Sequence, residues 1–167
     1  NTAIYDLCPE VAAAFRARGD EIVGHGRTNA ERQSDMDEAA ERAMILSCRD
    51  RIAAEEGAPP RGWMGPWVAE THATPDLLAE AGFDYVMDWT HDDQPMRLAT
   101  RSGRDLVTVP YSRPTNDIPA LHAAKWPPAV WADTLIDGFE ESLLLATRWP
   151  LVFNLSLHPF LVGHPFR

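Results

Sequence analysis

The chain has 167 residues, 45% of them hydrophobic and 24% charged, which is the size and composition of one globular domain able to bury a core. Fifteen Lys and Arg against twenty-five Asp and Glu leave a formal charge of −10, which excludes a broad basic face for nucleic acid or anionic membrane. No apolar run approaches the ~18 residues of a membrane span. Asp6, Glu10 and Arg16 occupy the stretch that a signal peptide would keep apolar, so the expected location is cytoplasmic.

The predicted elements run as follows. A first helix starts at about Pro9, carries Val11 and Phe15 on one face and stops at Gly19. Glu21-Ile22-Val23 is a short strand that enters Gly24-His25-Gly26. Ser34 then opens a long helix, with Asp37 three residues on as capping-box partner. Its apolar stripe is Met36, Ala40, Ala43, Met44 and Ile52, and Gly57 followed by Pro59-Pro60 ends it. Arg61 to Met64 reads as a strand. Thr74 as N-cap with Pro75 behind it starts a short helix that closes at Gly82. Tyr85-Val86-Met87 is the next strand. The two cysteines, Cys8 and Cys48, each fall in a predicted helix, are too few and too far apart for a disulfide framework or a zinc ribbon, and are expected to be structural.

Beyond Met87 the rhythm changes. Met96–Thr100 and Asp105–Val109, joined through Ser102-Gly103, predict a β-hairpin. A proline-rich loop from Pro110 to Pro128 follows, long enough to be functional and a candidate interface for a homo-oligomer. A strong helix then carries Leu135, Ile136, Phe139, Leu143 and Ala146 at helical spacing. Leu151 to Leu157 is the clearest strand pattern in the chain. Alternating strands and helices predict an α/β fold in one domain over 1–167, a parallel sheet or barrel flanked by helices. Four or so units are too few to close a barrel. With no initiator Met, and a strand-like segment near Arg167 that no helix follows, the sequence reads as one part of a larger α/β domain.

Sites in parallel barrels and open α/β sheets lie at the carboxyl ends of strands. That rule selects His25, Arg61 with Gly65-Pro66-Trp67, Asp88-Trp89, Tyr111 and His158. Period-two alternation puts Leu151, Phe153, Leu155 and Leu157 on one face. Asn154, Ser156 and His158 fall on the other, with His158 at the open end. His158 is either an acid/base group or a hydrogen-bonded structural histidine. His25, between two glycines, suits a metal ligand or an acid/base group. Arg61 could clamp a carboxylate or orient a catalytic acid, and an ordinary salt bridge explains it equally well. Asp88-Trp89 is an orienting carboxylate beside a stacking ring, or a turn residue before a core tryptophan. His164 repeats the His-Pro-Phe triplet beyond the strand and is expected to be structural. Phosphate-cradling GxGxxG and GxxxxGK[ST] motifs, a GxSxG elbow and HExxH are all absent from the sequence.

Taken in order, the segments EIVGHGRTN, PPRGWMGPW, TPDLLAEAGFDYVMDW, DDQP, LVTVPYS, ND and LSLHPFLVGHPFR resemble the polysaccharide deacetylase (NodB-homology) family. The likeness is greatest to its branch of allantoinase-like enzymes, cyclic-imide hydrolases and some peptidoglycan deacetylases. The resemblance implies a distorted (β/α) barrel of NodB type, incomplete in this chain. Its first motif, an aspartate pair on the first strand, and its final helix and strand are expected to lie outside these residues. By the resemblance, His25 is the first histidine of a metal-binding His-x-x-x-His motif. Asn29 stands where the second is expected, and a neutral amide is a poorer zinc ligand than imidazole. Divalent zinc and a metal-free site therefore both stay open. Arg61 corresponds to the arginine that orients the catalytic base. Asp88 and Trp89 correspond to the Asp-Trp pair that lines the pocket and supports the histidine. His158 corresponds to the late histidine that protonates the leaving nitrogen, and Asn116-Asp117 to a pair on the pocket-side loop. Trp67 and Tyr111 are expected to contact substrate.

The implied reaction is hydrolysis of a non-peptide C–N bond in a small-molecule or oligosaccharide substrate, such as the N-acetyl group of an amino sugar. Ring opening of allantoin or a cyclic imide is the alternative within that class. A non-catalytic carbohydrate-binding remnant, with Trp63, Trp67 and Trp89 stacking on sugar rings, is the alternative outside it.

Overall fold

The computed structural model describes residues 1–165; Phe166 and Arg167, the end of the second His-Pro-Phe triplet, lie outside the described residues. These residues form two compact units. The first comprises Asn1–Asp88 and Met96–Thr108, the second Trp89–Pro95 and the segment from Val109 onward. Among the described residues no helix is long and apolar enough to cross a membrane.

The first unit is an α/β layer. Helices α1 (Ile4–Leu7), α2 (Pro9–Arg18), α3 (Glu38–Glu56) and α4 (Thr74–Glu80) accompany strands β1 (Gly62–Trp63), β2 (Tyr85–Val86), β3 (Met96–Leu98) and β4 (Leu106–Thr108). Strand order is β1-β2-β4-β3. The β1–β2 and β2–β4 pairs are parallel, and β3 closes the edge as the antiparallel arm of the predicted hairpin. A parallel-dominated sheet with flanking helices is the expected fold class, an incomplete barrel of NodB type.

Local chemistry sets the element ends. The Asp37 carboxylate accepts the Ala40 N–H at 2.8 Å and caps α3 directly, so the helix begins at Glu38. The predicted start at Ser34 is corrected: that residue lies in a 3₁₀ turn, Gln33–Asp35, and extended Met36 separates it from α3. Gly57 ends the helix at φ 79°, the left-handed cap that its lack of a Cβ allows. Thr74 is the first residue of α4, not its cap, and its hydroxyl is used elsewhere. Cys8 is exposed between α1 and α2, which corrects the helical, buried expectation; Cys48 is buried in α3.

The main core joins α3, α4 and the sheet through Met44, Ile45, Trp63, Leu78, Phe83 and Val86. Along α3 the buried stripe is Glu41, Met44, Ile45, Cys48 and Ile52, whereas Ala40 and Ala43 face out. Alanine buries too little apolar surface to decide which face packs. Val11 of α2 is likewise exposed, and Ala12 takes the inner position. The predicted strand Glu21-Ile22-Val23 is reduced to one parallel bridge, Gly24 with Trp63.

The second unit holds a π-helical turn (Ile118–Ala123), α5 (Pro128–Leu145) and α6 (Pro159–Val162). Ala120, Leu121 and Trp131 form its small core, with Leu135 and Val162 packed against it. Of the apolar stripe predicted for α5, Ile136, Phe139 and Leu143 are exposed. Leu151–Leu157 is not a strand of a ladder: one parallel bridge, Ser156 with Asn116, is its only β-bridge among the described residues, and Val152 N–H donates to the Asp93 oxygen at 2.9 Å. That bridge turns Ser156 inward, on the polar face of the predicted alternation, and leaves Leu155 and Leu157 exposed.

Candidate active site

Two groups of polar side chains stand at chain segments leaving the sheet or the bridge. In the first unit the register of β1 on β2, Gly62 with Tyr85 and Trp63 with Val86, carries Gly65 alongside Asp88 beyond the strands. The Gly65 N–H donates to both Asp88 oxygens, at 2.7 and 3.0 Å. Only glycine fits at 65: a Cβ would lie 2.7 Å from the Ala69 carbonyl oxygen and from Gln33 Oε1, and 3.0 Å from Asp88 Oδ2. Glu70, which the sequence reading passed over, hydrogen-bonds to Asp88 through its carboxyl. Burial, and then the Glu70 carboxyl, push the Asp88 carboxyl up to about 9, against a smaller pull from the Gly65 N–H. The two carboxyls therefore hold a proton between them at neutral pH.

Behind this pair lies a buried polar relay. Trp63 Nε1 donates to Gln33 Oε1 at 2.9 Å, and Gln33 Nε2 donates to Glu41 Oε1 at 2.8 Å. Thr71 Oγ1 donates to Glu41 Oε2 at 2.6 Å, and Thr74 Oγ1 donates to Glu41 Oε1. Glu41 is fully buried yet accepts three hydrogen bonds, the condition under which a carboxylate is tolerated inside a core. The relay ties the loop around Gln33 to the loop after β1. Trp63 is itself fully buried, so it cannot stack on a sugar; that expectation is corrected.

His25 is placed by the same loop pair. Its Nδ1 lies 2.7 Å from the Met64 carbonyl oxygen, which can only accept, so Nδ1 carries the proton and Nε2 the lone pair of the neutral ring. Asn29 is exposed; its Oδ1 accepts from Asn1 Nδ2 at 3.2 Å, and its backbone oxygen accepts from Trp67 Nε1 at 2.7 Å. A zinc centre takes at least three protein ligands. Here one imidazole stands beside an amide already engaged, and among the described residues no three His, Cys, Asp or Glu side chains converge. The residues present do not fit a zinc ion by themselves.

Trp67 is 63% exposed and, with Val68, occupies the left-handed region, at φ 66° and 54°. Each such conformation costs a non-glycine residue roughly 1–3 kcal/mol. The Nε1 bond to Asn29 fixes the ring, and the Arg32 guanidinium lies 4.9 Å from its centroid. Arg61 lies elsewhere. It precedes β1, pairs with Asp84 at 2.8 Å before β2, and its side chain is 72% exposed. Because the two strands are parallel, residues 61 and 84 mark their amino ends, and Gly65 and Asp88 their carboxyl ends. Arg61 is not brought to Asp88.

The second unit holds the other group. Asp117 is fully buried; its N–H donates to the Ser156 oxygen at 3.1 Å, and the Ser156 N–H to the Thr115 oxygen at 3.1 Å. This bridge sets residue 117 against residue 158. Asp117 Oδ2 accepts the His158 backbone N–H and Oδ1 accepts Nδ1–H, both at 2.5 Å. The carboxylate behind His158 is therefore Asp117, not Asp88, and both oxygens of the fully buried Asp117 are engaged by His158. Fixing the proton on Nδ1 leaves Nε2 as the working nitrogen of a side chain that is 29% exposed. Asn116 is also buried: Nδ2 donates to the Tyr111 hydroxyl at 2.9 Å and Oδ1 accepts from Ile118 N–H at 2.9 Å. Asn116 thus positions Tyr111 and the loop. Trp89 is half-exposed and stacks on His91, with centroids 6.1 Å apart and planes at 14°.

No family model matches the chain, and no curated protein matches it in sequence. Solved structures do. The chain is similar to the Puue allantoinase, at TM-score 0.86 and 28% identity over 99% of this chain and 55% of that one. A probable polysaccharide deacetylase from Pseudomonas aeruginosa PAO1 matches at TM-score 0.84 and 28% identity, covering 99% and 55%. A putative polysaccharide deacetylase from Mycobacterium smegmatis matches at TM-score 0.86 and 26% identity, covering 99% and 59%. The chain spans a little over half the length of each. The likeness runs through both units on a parallel-dominated sheet, and it supports the resemblance to polysaccharide deacetylases of the NodB fold.

Proposed function

We propose that the chain carries part of the active site of a hydrolase acting on non-peptide C–N bonds, with N-deacetylation of an amino sugar as the first reading. The observation that supports it is the Asp117–His158 dyad, a buried carboxylate fixing one ring nitrogen of a half-buried histidine. A structural histidine needs one hydrogen bond; this one is held at both its backbone and its ring. Such a ring, having taken up a second proton at Nε2 from solvent, can pass that proton to a departing nitrogen and return to the neutral form, with Asp117 stabilising the imidazolium beforehand. In the proposed reaction water adds to the carbonyl carbon and loses a proton to a base. The C–N bond then breaks, and the nitrogen leaves with the electron pair and the proton from Nε2.

Ring opening of allantoin or a cyclic imide is the same chemistry on an internal amide, and similarity to an allantoinase favours it as second reading. The test is turnover by the purified protein of chitooligosaccharide, allantoin and succinimide, with and without chelator, alongside His158→Ala. Chelator-sensitive deacetylation supports the first reading with zinc bound, and chelator-resistant ring opening supports the second. Turnover of any of the three that survives unchanged in His158→Ala removes the dyad from the mechanism.

A further inference from the structure

Arg32 stands out in a chain of net charge −10. Every other arginine of the first unit lies within ion-pair distance of a carboxylate; Arg27 nearby is paired to Glu31 at 2.5 Å, for example. Among the described residues Arg32 makes no such pair. Its guanidinium instead lies over the indole of Trp67, 4.9 Å from the ring centroid. The indole is pinned by Nε1 on the Asn29 oxygen and by a left-handed backbone that an unconstrained tryptophan would leave. The next residue, Gln33, is anchored in the buried relay to Trp63 and Glu41. Arg32 is therefore held from both sides, on the loop pair that carries His25 and Gly65 at the carboxyl end of β1.

A guanidinium held over a ring face by cation–π attraction leaves its N–H edges for other acceptors. Those edges match the two oxygens of a planar carboxylate, and two parallel bonds of that kind give orientation as well as affinity. An acidic protein repels anions at long range, so a lone preoriented cation selects for charge at one place only.

We propose that Arg32, held over the Trp67 ring, is a carboxylate-binding subsite, and that the substrate amide of this chain carries a carboxylate group. The carboxylate assignment deepens the hydrolase reading and rests on it for the word substrate; the subsite itself does not. The probes are N-acetylglycine and its neutral N-methylamide, titrated calorimetrically into the wild-type protein and into Arg32→Met, which keeps an unbranched apolar side chain on Trp67. The wild type should prefer the acid by about tenfold or more, the scale of a charge-assisted pair, and Arg32→Met should lose that preference with an unchanged melting temperature. Equal binding of the two probes, no binding of either, or a preference that persists in Arg32→Met overturns the subsite. Displacement of N-acetylglycine by equimolar inorganic phosphate overturns the planar-carboxylate assignment. Absence of turnover on every amide, with the preference intact, overturns the hydrolase reading and leaves the subsite standing.

Discussion

The Asp117 carboxylate holds His158 at two points, Oδ2 on the backbone N–H and Oδ1 on Nδ1, each at 2.5 Å. Backbone position and ring orientation are thereby locked to one buried group, 41 residues earlier in the chain. Replacing Asp117 by Asn keeps the shape and gives up the charge, and an amide nitrogen turned toward Nδ1 would favour the wrong tautomer. Asp117→Asn should lower kcat by roughly 10²–10⁴, close to the loss in His158→Ala, because the two act as one unit. Steady-state kinetics on whichever substrate is turned over would show it. Losses that multiply in the double variant would mean that the residues act separately.

The Asp88–Glu70 pair makes a statement about pH. Asp88 has its folded-state carboxyl raised from 3.8 to about 9 by burial and by Glu70. A raised value means the folded state binds the proton more tightly, so the associated stability is complete below 3.8 and is lost as pH rises toward 9. Asp88→Asn cannot titrate. Its stability relative to wild type should therefore climb across that window, as read by urea midpoints in acid and in mildly alkaline buffer. Parallel pH profiles for the two proteins would contradict the shared proton.

Gly65 leaves no room for a methyl group, and one of the atoms in the way is the Ala69 backbone carbonyl, which cannot swing aside. Gly65→Ala should cost about 1–3 kcal/mol by overpacking and disturb the N–H donated to Asp88. Chemical denaturation gives the first effect. An unaltered midpoint would show that the loop after β1 shifts freely.

Arg61, expected from the resemblance to orient a catalytic base, forms an exposed ion pair with Asp84. Exposed pairs contribute little. Arg61→Ala should leave kcat/KM within a factor of about two of wild type, a difference smaller than the loss of even one typical hydrogen bond. A hundredfold fall would return Arg61 to the site.

Short-range chemistry was legible in the chain, and it marked the ends of elements well. The left-handed cap at Gly57, the hairpin from Met96 to Thr108 and the extent of α5 depend on a few neighbouring residues, and the structure has them where the sequence puts them. Where two capping residues competed, Ser34 and Asp37, the one whose carboxylate reaches the Ala40 N–H won. Burial was less legible. Glu41 reads as a surface residue of an amphipathic helix, and only Gln33, Thr71 and Thr74, brought from other segments, make its burial affordable. Leu151–Leu157 has the period of a strand, but period alone does not say which face finds a partner; a single bridge at Ser156 decided that.

The sequence by itself determined the family resemblance, the α/β class and the identity of His25, Asp88 and His158 as residues to inspect, because each follows from local pattern and order along the chain. Only the tertiary structure decided which carboxylate serves His158, that Glu70 joins Asp88, that Arg61 sits at the opposite strand end, and that Arg32 rests on Trp67. Those relationships span tens of residues and depend on strand register and on the direction of neighbouring strands. Parallel pairing sends residues 65 and 88 to one end and residues 61 and 84 to the other, and no spacing within a single segment encodes that outcome.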